Sequence, residues 1–325
     1  MTKRYRLVTR SDFDGLVCAA LLSHLDLVED IAYVHPKDVQ DGKVKITEND
    51  ITTNLPYSPR AHMVFDHHVS EKTRIGDGPK PNCILDPKAP SAARVVFNHF
   101  GGFENFPLTW EQMMDAVDQA DAAQYSREDI INPTGWTLLG FLMDSRTGLG
   151  RFRDFRVSNY QLMVDLVDYC RFNNIDDIFQ IPDVKDRVDL YHEMEEDFKD
   201  QLRRRGEVRD KLVVLDLRKE EIIYPGNRFM IYALFPECNL SMHVLWGMKR
   251  QNTVFAVGKS ILDRSNPMDI GTLLLEYGGG GHANAGTCQV SNDNASHVFD
   301  ALVTRMTMSP MAVSDSAPSM TKLAS

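Results

Sequence analysis

The chain has 325 residues, of which 43% are hydrophobic and 25% are charged, and its net charge at pH 7 is −10. This composition is typical of a globular protein, and the length predicts two domains. The negative charge argues against a protein that coats long nucleic acid, although a short anionic substrate held by metal ions and a few local cations is compatible with it.

The five cysteines are scattered, odd in number and without a Cys-x-x-Cys pair, which predicts free thiols in a reducing cytoplasm. The N-terminal residues run directly into a predicted strand without a signal-peptide apolar region. No stretch of the sequence is long and apolar enough to predict a membrane span. We therefore expect a cytoplasmic protein that has no membrane partner.

The first predicted strand, 5–9, is followed by the acidic turn Asp12-x-Asp14-Gly15 and by a helix over 16–27. A strand, an acidic turn, a glycine and a helix form a connection that builds sites in α/β sheets. The Asp-x-Asp spacing puts two carboxylates on one side of an extended turn, as a pair of ligands to a divalent metal requires. Capping of the following helix by either aspartate is the alternative.

Two more strands are predicted at 31–35 and 44–47. The second of them runs toward Asp50, which is therefore a third carboxylate at a predicted strand end. Asp38 and Asp41 are alternatives to Asp50, but they lie in a predicted loop beside a glycine.

The most informative stretch is a short apolar strand, 63–65, that ends in Asp66-His67-His68. A parallel sheet presents its chemistry at the carboxyl ends of its strands. Adjacent residues on an extended chain point to opposite sides, so one histidine can face a metal ion while the other faces a substrate. An ordinary strand end with a satisfied polar cluster is the alternative.

The remainder of the first domain is predicted to contain a strand at 83–85, helices at 91–99, 110–123 and 160–170, and an apolar segment at 137–143. The second of these helices carries Asp115, Asp118 and Asp121, which we interpret as a solvated face. Asp144 follows the apolar segment directly and is a further candidate site carboxylate. Arg146 can either reach the site or form a salt bridge, and we leave it outside the predicted site.

Charged residues crowd together over 184–208, where apolar residues are sparse. We interpret this region as a largely exposed helix that joins the two domains. Its arginine run, 203–205, is either a solvated helix end or a contact for phosphates. Four short strands follow and predict a second, smaller sheet: 212–217, 228–234, 240–249 and 253–259. The composition beyond residue 308 predicts a disordered tail.

The second domain contains four consecutive glycines, 278–281, followed by His282. Glycines allow a close backbone approach, and consecutive backbone N–H groups can hold an anion. A flexible turn is the alternative for this run. Arg264, which lies next to Ser265, supplies a cation that can bind a phosphate.

The order of these motifs resembles the DHH phosphoesterase superfamily with its DHH-associated C-terminal domain. The resemblance rests on Asp12-x-Asp14-Gly15, Asp50, Asp66-His67-His68, Asp144 and the Gly-Gly-Gly-His at 279–282, and it extends from about residue 5 to about residue 303. The superfamily includes RecJ-like exonucleases, nano-RNases that degrade short oligonucleotides, cyclic-dinucleotide phosphodiesterases and exopolyphosphatase-like proteins.

The resemblance implies an α/β protein with an active site in the cleft between two domains. The larger N-terminal domain contains a parallel sheet, and the smaller C-terminal domain contains a mixed sheet. The predicted bounds are 1–182 for the catalytic domain, 183–209 for a helical linker, 210–308 for the DHH-associated domain and 309–325 for the tail.

The resemblance also implies a site for two metal ions, usually Mn²⁺, with Mg²⁺ as a possible substitute. Asp12 and Asp50 would hold one ion, and Asp50 would bridge to a second ion held also by Asp14, His67 and Asp144. Hard carboxylates with a few imidazoles suit Mn²⁺ or Mg²⁺ better than they suit zinc–thiolate chemistry.

The implied catalytic residues are Asp66, His67 and His68, and His68 would face the substrate phosphate. The implied substrate-binding residues are Arg264, Ser265, Gly279, Gly280, Gly281 and His282, and Arg10 is a further candidate. Many members of the superfamily have a histidine shortly before the first acid, where this chain has Arg10. A guanidinium cannot ligate a metal, so the first ion is held weakly, through water, or not at all, or Arg10 binds a phosphate instead.

We therefore predict a metal-dependent phosphoesterase that uses metal-activated water to hydrolyse phosphodiester bonds in short oligonucleotides or dinucleotides. An exopolyphosphatase is the alternative substrate class. A nucleotide-binding sensor that has lost turnover is the alternative of another kind. A homodimer is compatible with the exposed joining helix.

Overall fold

The computed structural model of the chain describes residues 3–308 except 69, 70, 72, 73, 75, 77, 79 and 152–154. The chain divides into two compact units. Met1–Phe198 and Tyr224–Met230 form the first unit, and Lys199–Ile223 and Ile231–Ser325 form the second. The predicted disordered tail, 309–325, lies outside the described residues.

Five described strands form the sheet of the first unit: β1 (Tyr5–Arg10), β2 (Val28–Val34), β3 (Asp50–Thr53), β4 (Met63–Asp66) and β5 (Cys83–Leu85). They lie in the order β2-β1-β3-β4-β5, and all neighbouring pairs are parallel. All five strands therefore begin at one edge of the sheet, the amino edge, and end at the other, the carboxyl edge. This arrangement confirms the predicted parallel sheet.

The helices of the first unit are α1 (Phe13–His24), α2 (Pro36–Gln40), α3 (Ala92–His99), α4 (Glu111–Asp121), α5 (Arg127–Ile131), α6 (Gly135–Met143), α7 (Asn159–Phe172), α8 (Ile175–Ile178) and α9 (Pro182–Glu193). Helix α1 is buried along Phe13–Leu22 on every side. A helix that is apolar all round must be enclosed by other elements. It packs against β1 and against helices α3, α4 and α7, and it forms the centre of the core of the first unit.

Gly15 allows the first turn of α1 to lie against the end of β1. A Cβ at this position would overlap the carbonyl oxygen of Arg10, a backbone atom that cannot move aside independently. The glycine in the acidic turn is thus needed for the sharp return of the chain that brings Asp12 and Asp14 to the carboxyl edge of the sheet.

Two of the predicted strands are wrong. The described residues of the predicted strand 44–47 are not extended in the sheet, and β3 instead begins at Asp50. The Thr47 backbone N–H donates to the carboxylate of Asp50 over 2.6 Å and forms the turn that precedes the strand. The predicted strand 228–234 contains a short helix, α11 (Met230–Leu234).

The predicted joining region consists of α9 and a second helix, α10 (Glu195–Arg205), and the boundary between the two units falls within α10. Two arginines of the predicted run, Arg204 and Arg205, form ion pairs with Glu220. The run is therefore engaged in contacts within the second unit.

The second unit has a mixed sheet whose described strands are β6 (Gly206–Arg209), β7 (Leu212–Asp216), β8 (Leu240–Trp246), β9 (Asn252–Lys259), β10 (Gly280–His282) and β11 (Ala285–Ser291). They lie in the order β10-β11-β9-β8-β7-β6, in which β7 and β8 are parallel and the other neighbours are antiparallel. One face packs its apolar residues against α12 (Ile270–Leu275) and α13 (Ala295–Thr307). The mixed sheet of the second unit confirms the prediction.

Candidate active site

The acidic turn after β1 brings two carboxylates to the carboxyl edge of the parallel sheet. Asp12 is the N-cap of α1, and its Oδ1 accepts a hydrogen bond of 2.9 Å from the Gly15 N–H. Asp14 lies within the first turn of the same helix and is only 2% exposed. Asp12 therefore caps the helix, which was the alternative for this motif. The carboxylate of Asp14 does not cap α1 and contacts another helix instead.

The carboxylate of Asp14 is held at the N-terminus of α3. It accepts hydrogen bonds from the backbone N–H groups of Ala92 and Ala93, over 3.1 and 2.8 Å. A helix N-terminus favours negative charge, so this contact orients the carboxylate. Even so, burial and the nearby charges of Asp121 and Asp12 raise the pKa of Asp14 well above its usual value.

His67 is oriented by a backbone carbonyl. Its Nδ1 lies 3.2 Å from the carbonyl oxygen of Ala89, so Nδ1 carries the proton that makes this hydrogen bond. In the neutral ring, which is the form that binds a metal ion, Nε2 is then the nitrogen with a free lone pair. A histidine that donates from one nitrogen to a carbonyl and presents the other has the arrangement typical of a metal ligand.

The third member of this group is Asp121, the last residue of α4. Its Oδ2 lies 2.8 Å from Nε2 of His67, but the contact lacks hydrogen-bond geometry, and Nε2 has no hydrogen-bond partner among the described residues. Burial lowers the pKa of His67, but the neighbouring carboxylates of Asp121 and Asp14 more than offset this and raise the pKa to about 9. Donor atoms of Asp14, His67 and Asp121 all lie within 4.8 Å of one another.

We call Asp14, His67 and Asp121 the metal-binding group, because their chemistry fits a divalent cation. Two carboxylates and an imidazole are ligands that Mn²⁺ accepts. Asp14 is buried and Asp121 is half-buried, and carboxylates this close together repel each other unless a positive charge lies between them. Burial and Asp121 also raise the pKa of Asp12 against the opposing effect of Arg10, which shows that Asp12 belongs to the same electrostatic environment.

Asp66 and His68 form a second cluster directly beside His67. Oδ1 of Asp66 lies 2.7 Å from Nδ1 of His68 and also accepts a hydrogen bond of 2.8 Å from the His67 N–H. Its Oδ2 is buried and has no hydrogen-bond partner among the described residues. Asp66 thus orients the ring of His68, holds the backbone of His67 and leaves one carboxylate oxygen without a partner among the described residues.

The structure contradicts the predicted role of Asp50 as a bridging metal ligand. Asp50 is the first residue of β3 and pairs with Arg6 of β1, so it lies toward the amino edge, at the opposite end of the strands from Asp66. Its carboxylate accepts hydrogen bonds from Arg6 Nε over 2.7 Å and from the N–H of Thr47. Burial alone would raise its pKa, but these partners lower it.

The residue that follows β3 at the carboxyl edge is Asn54, which the sequence-based prediction did not include. It is 2% exposed and has a left-handed backbone conformation with φ of 55°. Both polar atoms of its side chain are buried and have no hydrogen-bond partner among the described residues. A buried polar group without a partner is destabilising, and so is a left-handed backbone conformation at a residue other than glycine. Both features concentrate at functional sites.

The structure does not bring Asp144 into the metal-binding group. Its carboxylate accepts hydrogen bonds from Arg146 Nε over 2.7 Å and from Arg228 Nε over 3.3 Å. Burial would raise the pKa of Asp144, but the two arginines lower it. The predicted role of Asp144 as a metal ligand is therefore corrected to that of an acid that holds two arginines.

Asp121 was interpreted from the sequence as part of a solvated face, and this interpretation is wrong. It lies one turn of α4 beyond Asp118, whose carboxylate accepts hydrogen bonds from Ser91 and Arg94 at the start of α3. The spacing of the acids at 115, 118 and 121 could have indicated a site here. Like charges on one face of a helix destabilise it, and cations opposite that face relieve the repulsion. Asp115, at the other end of the stripe, is largely exposed, as predicted.

The candidate residues of the second unit lie around β10. Gly279 and Gly281 are required by packing, since a Cβ at either position would overlap the backbone of β11, whereas the space beside Gly280 is open. Nδ1 of His282 accepts a hydrogen bond of 3.3 Å from the Asn284 N–H. The glycine run therefore has a structural cause within this sheet.

Arg264 and Ser265 lie in the loop that follows β9. Arg264 is exposed, and its Nε donates to the carbonyl of Ile261 over 3.2 Å. Ser265 Oγ accepts a hydrogen bond of 3.1 Å from Asn239. The substrate-binding role of these residues and of His282 stays a prediction.

Arg10 is paired with the first acid of the turn. Its Nε lies 2.9 Å from Oδ2 of Asp12. The guanidinium thus offsets part of the charge of Asp12, at the position where the superfamily often has a histidine. Its role in substrate binding stays a prediction.

Comparison with solved structures decides the family. The chain is similar to PggH from Vibrio cholerae, described as a pGpG-specific phosphodiesterase, with 57% identity over 93% of this chain and 99% of that chain, and a TM-score of 0.84. The chain belongs to the DHH phosphoesterase family. No protein-family model and no curated protein matches it.

More distant structures share the fold. RecJ from Thermus thermophilus in complex with Mn²⁺ has 15% identity over 94% of this chain and 52% of that chain, with a TM-score of 0.53. CDC45 from Entamoeba histolytica has 7% identity over 94% and 96% of the two chains, with a TM-score of 0.55. At these identities the similarity concerns the fold alone.

The similarity to PggH confirms the predicted α/β fold with two sheets and the predicted enzyme class, a phosphoesterase that cleaves phosphodiester bonds. The metal-binding group supplies ligand atoms that suit a divalent metal ion. Within the described part of the chain, none of the helices has the length and apolar character needed to cross a membrane.

Proposed function

We propose that this phosphoesterase hydrolyses the linear dinucleotide pGpG, with water, to two molecules of GMP. The observation that carries this proposal is the 57% identity to the pGpG-specific phosphodiesterase PggH over nearly the full length of both chains. Short oligonucleotides are the wider substrate class. The net charge of −10 fits a short substrate better than long nucleic acid.

We propose Mn²⁺ as the metal, with Mg²⁺ as a substitute. Asp14, His67 and Asp121 would hold one ion. Asp12 and the Oδ2 atom of Asp66, which has no hydrogen-bond partner among the described residues, would contribute to a second. When bound, such ions activate a water molecule and offset charge on the attacking and leaving oxygens.

The protein residues around this group have separate tasks. Asp66 fixes the ring of His68 through Nδ1, over 2.7 Å, so that Nε2 is the nitrogen left to contact a phosphate oxygen. The side chain of His68 is 42% exposed, which makes it accessible to a substrate. We propose that His68 donates a hydrogen bond or a proton to the phosphoryl group.

We also propose that Arg264, Ser265, the glycines 279–281 and His282 contact the substrate. All five cysteines are free thiols, which supports the proposed cytoplasmic location. Exopolyphosphatase activity and a sensor without turnover are the alternatives that the experiment must distinguish.

The experiment is a hydrolysis panel on the purified protein with Mn²⁺, with and without a chelator. The substrates are pGpG, a five-nucleotide RNA, cyclic di-GMP and polyphosphate. We expect chelator-sensitive conversion of pGpG to GMP, with slower cleavage of the RNA. Preferred release of phosphate from polyphosphate would support the exopolyphosphatase, and pGpG binding without turnover would support the sensor.

The chain offers a matched pair of variants on one helix. Asp121→Asn removes a charge from the metal-binding group, whereas Asp115→Asn removes a charge from the exposed start of the same stripe on α4. We expect only Asp121→Asn to reduce turnover of pGpG and to weaken Mn²⁺ binding in calorimetry. Equal effects of the two substitutions would contradict the assignment of Asp121.

A further inference from the structure

Asp144 holds two arginines that come from distant parts of the chain. Arg146 donates from Nε to both carboxylate oxygens, over 2.7 and 3.1 Å, and from its backbone N–H over 2.9 Å. Arg228 donates from Nε to Oδ2 over 3.3 Å. Both guanidinium groups therefore contact the acid through the nitrogen nearest to their own stem.

This use of Nε leaves the terminal nitrogens of both guanidinium groups available. Neither Nη1 nor Nη2 of Arg146 or Arg228 has a hydrogen-bond partner among the described residues. The side chain of Arg146 is 55% exposed and that of Arg228 is 32% exposed, so a ligand can reach them.

A second cluster with the same composition, Glu220 with Arg204 and Arg205, shows the opposite arrangement. Both terminal nitrogens of Arg204 donate to the carboxylate of Glu220, over 2.9 and 2.8 Å. That cluster uses the donor fork of an arginine for the acid itself. Two arginines around one acid therefore do not in themselves form a binding site. The Asp144 cluster differs because the terminal nitrogens of its arginines have no hydrogen-bond partner among the described residues.

The arginine pair carries an excess positive charge beside the metal-binding group. Two guanidinium groups face one carboxylate, and each is close enough to affect the other, since burial and then the charge of Arg146 lower the pKa of Arg228 to about 10. Arg146 also interacts electrostatically with Asp12 and Asp121. Arg146 therefore lies within electrostatic range of Asp12 and Asp121, which are proposed to bind metal.

The backbone that carries Arg228 is fixed to the first unit. Gly226 N–H donates to the Thr147 carbonyl over 2.8 Å, and the Asn227 side chain donates to the Ile130 carbonyl over 3.3 Å. The guanidinium of Arg228 also stacks on the ring of Phe229 at 4.0 Å. Such support keeps the guanidinium in place before a ligand arrives.

We propose that Arg146 and Arg228 bind a phosphate group of the substrate through their terminal nitrogens, with Asp144 as the positioning residue. This inference rests on the proposed function, because it assigns a further contact to the substrate of that reaction. The planar donor fork of arginine matches two oxygens of a phosphate, and charge-assisted hydrogen bonds of this kind are among the strongest in proteins. The excess charge of the pair selects an anion over a neutral base or sugar.

The test compares Arg146→Gln, Arg228→Gln and the control Arg204→Gln. For pGpG hydrolysis we expect each of the first two substitutions to raise KM about 10- to 100-fold, the usual effect of losing a charge-assisted hydrogen bond. The affinity for Mn²⁺ should not fall, because neither arginine is a ligand and removing a positive charge near Asp12 and Asp121 does not weaken the binding of a cation. Arg204→Gln should leave KM and kcat unchanged.

The positioning role of Asp144 has its own readout. We expect Asp144→Asn to raise KM about fivefold, less than loss of either arginine, because both guanidinium groups remain but are less well held. Arg146→Lys should not restore KM, since lysine cannot both contact Asp144 and present a fork.

Binding of the product GMP and of inorganic phosphate separates this inference from the proposed function, because binding requires no turnover. If the protein does not cleave pGpG, weaker binding of GMP and phosphate by Arg146→Gln would still support the arginine pair. Binding equal to that of the unsubstituted protein by both arginine variants, measured on folded samples, would overturn it. Arg146 is half exposed, so its variant remains informative even if Arg228→Gln does not fold.

Discussion

The two edges of the parallel sheet treat buried polar residues in opposite ways. At the amino edge, Asp50 is 1% exposed and its carboxylate has a cation and a turn as partners. Asn82, just before β5, uses both polar atoms: its Nδ2 donates to two carbonyls, and its Oδ1 accepts a hydrogen bond from the Tyr57 hydroxyl over 3.0 Å. At the carboxyl edge, Asp14 lies among other acids, and Asn54 has no side-chain partner among the described residues.

Structural and functional polar groups in this fold can therefore be separated by whether the protein itself supplies their partners. Burying a carboxylate destabilises the folded protein unless partners offset its lost hydration, and the partners of Asp50 are protein groups. The carboxylate of Asp14 lies among other acids and the side chain of Asn54 has no partner among the described residues, so a bound ligand can offset their lost hydration. Three pairs of substitutions compare a residue at one edge with its counterpart at the other, and the pH dependence of Asp50 tests the amino edge by itself.

The largest effect is expected at the two ends of β4. His67→Ala, after the strand, should reduce metal-dependent turnover about a thousandfold, because it removes a ligand of the metal-binding group. His62→Ala, before the strand, should leave turnover within about twofold, since His62 is exposed and stacks on Tyr5. Steady-state kinetics would decide, and retained turnover in His67→Ala would exclude it as a ligand.

The next effect concerns stability and its dependence on metal. Asp50→Asn should lower the free energy of unfolding by about 2–3 kcal/mol, because Arg6 loses a buried partner. The rise in Tm on adding Mn²⁺ should be retained in Asp50→Asn and lost in Asp14→Asn, since only a protein that binds the ion is stabilised by it. Thermal melts with Mn²⁺ and with chelator measure both quantities, and a lost metal response in Asp50→Asn would break the comparison.

A smaller effect distinguishes the two asparagines. Asn82→Ala should lower the free energy of unfolding by about 2 kcal/mol because three hydrogen bonds are lost. Asn54→Gly should leave stability within about 1 kcal/mol, because glycine accepts the left-handed backbone and no satisfied hydrogen bond of the side chain is removed. Turnover should fall about tenfold only in Asn54→Gly. A large loss of stability in this variant would show that the side chain is structural.

The smallest effect is in the pH dependence of Asp50. Its folded-state pKa is lowered, so its contribution is fully present above the unfolded value of about 3.9 and is lost as pH falls through the folded value. The difference in stability between the unsubstituted protein and Asp50→Asn should therefore be constant from pH 5 to 7 and shrink below about pH 4. Urea unfolding across this range measures it, and a difference that grew toward low pH would contradict the ion pair.

Much of this site could be predicted because its residues follow strands. An apolar run that ends in an acid identifies the carboxyl edge, and Asp12, Asp14, Asp66 and His67 all follow that rule. Asp50 failed because β3 has only four residues and begins at the acid that was expected to follow it. The predicted strand, 44–47, lies too early in the chain, so the acid expected after the strand is its first residue and lies at the opposite edge of the sheet.

The remaining errors come from helices and from distant segments. Asp144 follows an apolar segment that is the helix α6, so its position does not mark the sheet edge. Asp121 reaches the site only because α4 packs beside α1, which no local pattern shows. Arg228 is separated from Asp144 by 84 positions, and their pairing depends on the fold of the whole unit.

The short segment Tyr224–Met230 belongs to the first unit, although the residues on both sides of it belong to the second. Cleaving the chain at one peptide bond cannot release the two units as intact pieces. A fragment that ends at Phe198 would contain the metal-binding group but only one of the two arginines beside Asp144. During synthesis on the ribosome, the first unit cannot be completed until residue 230 has emerged, by which time the first strands of the second unit have already been made.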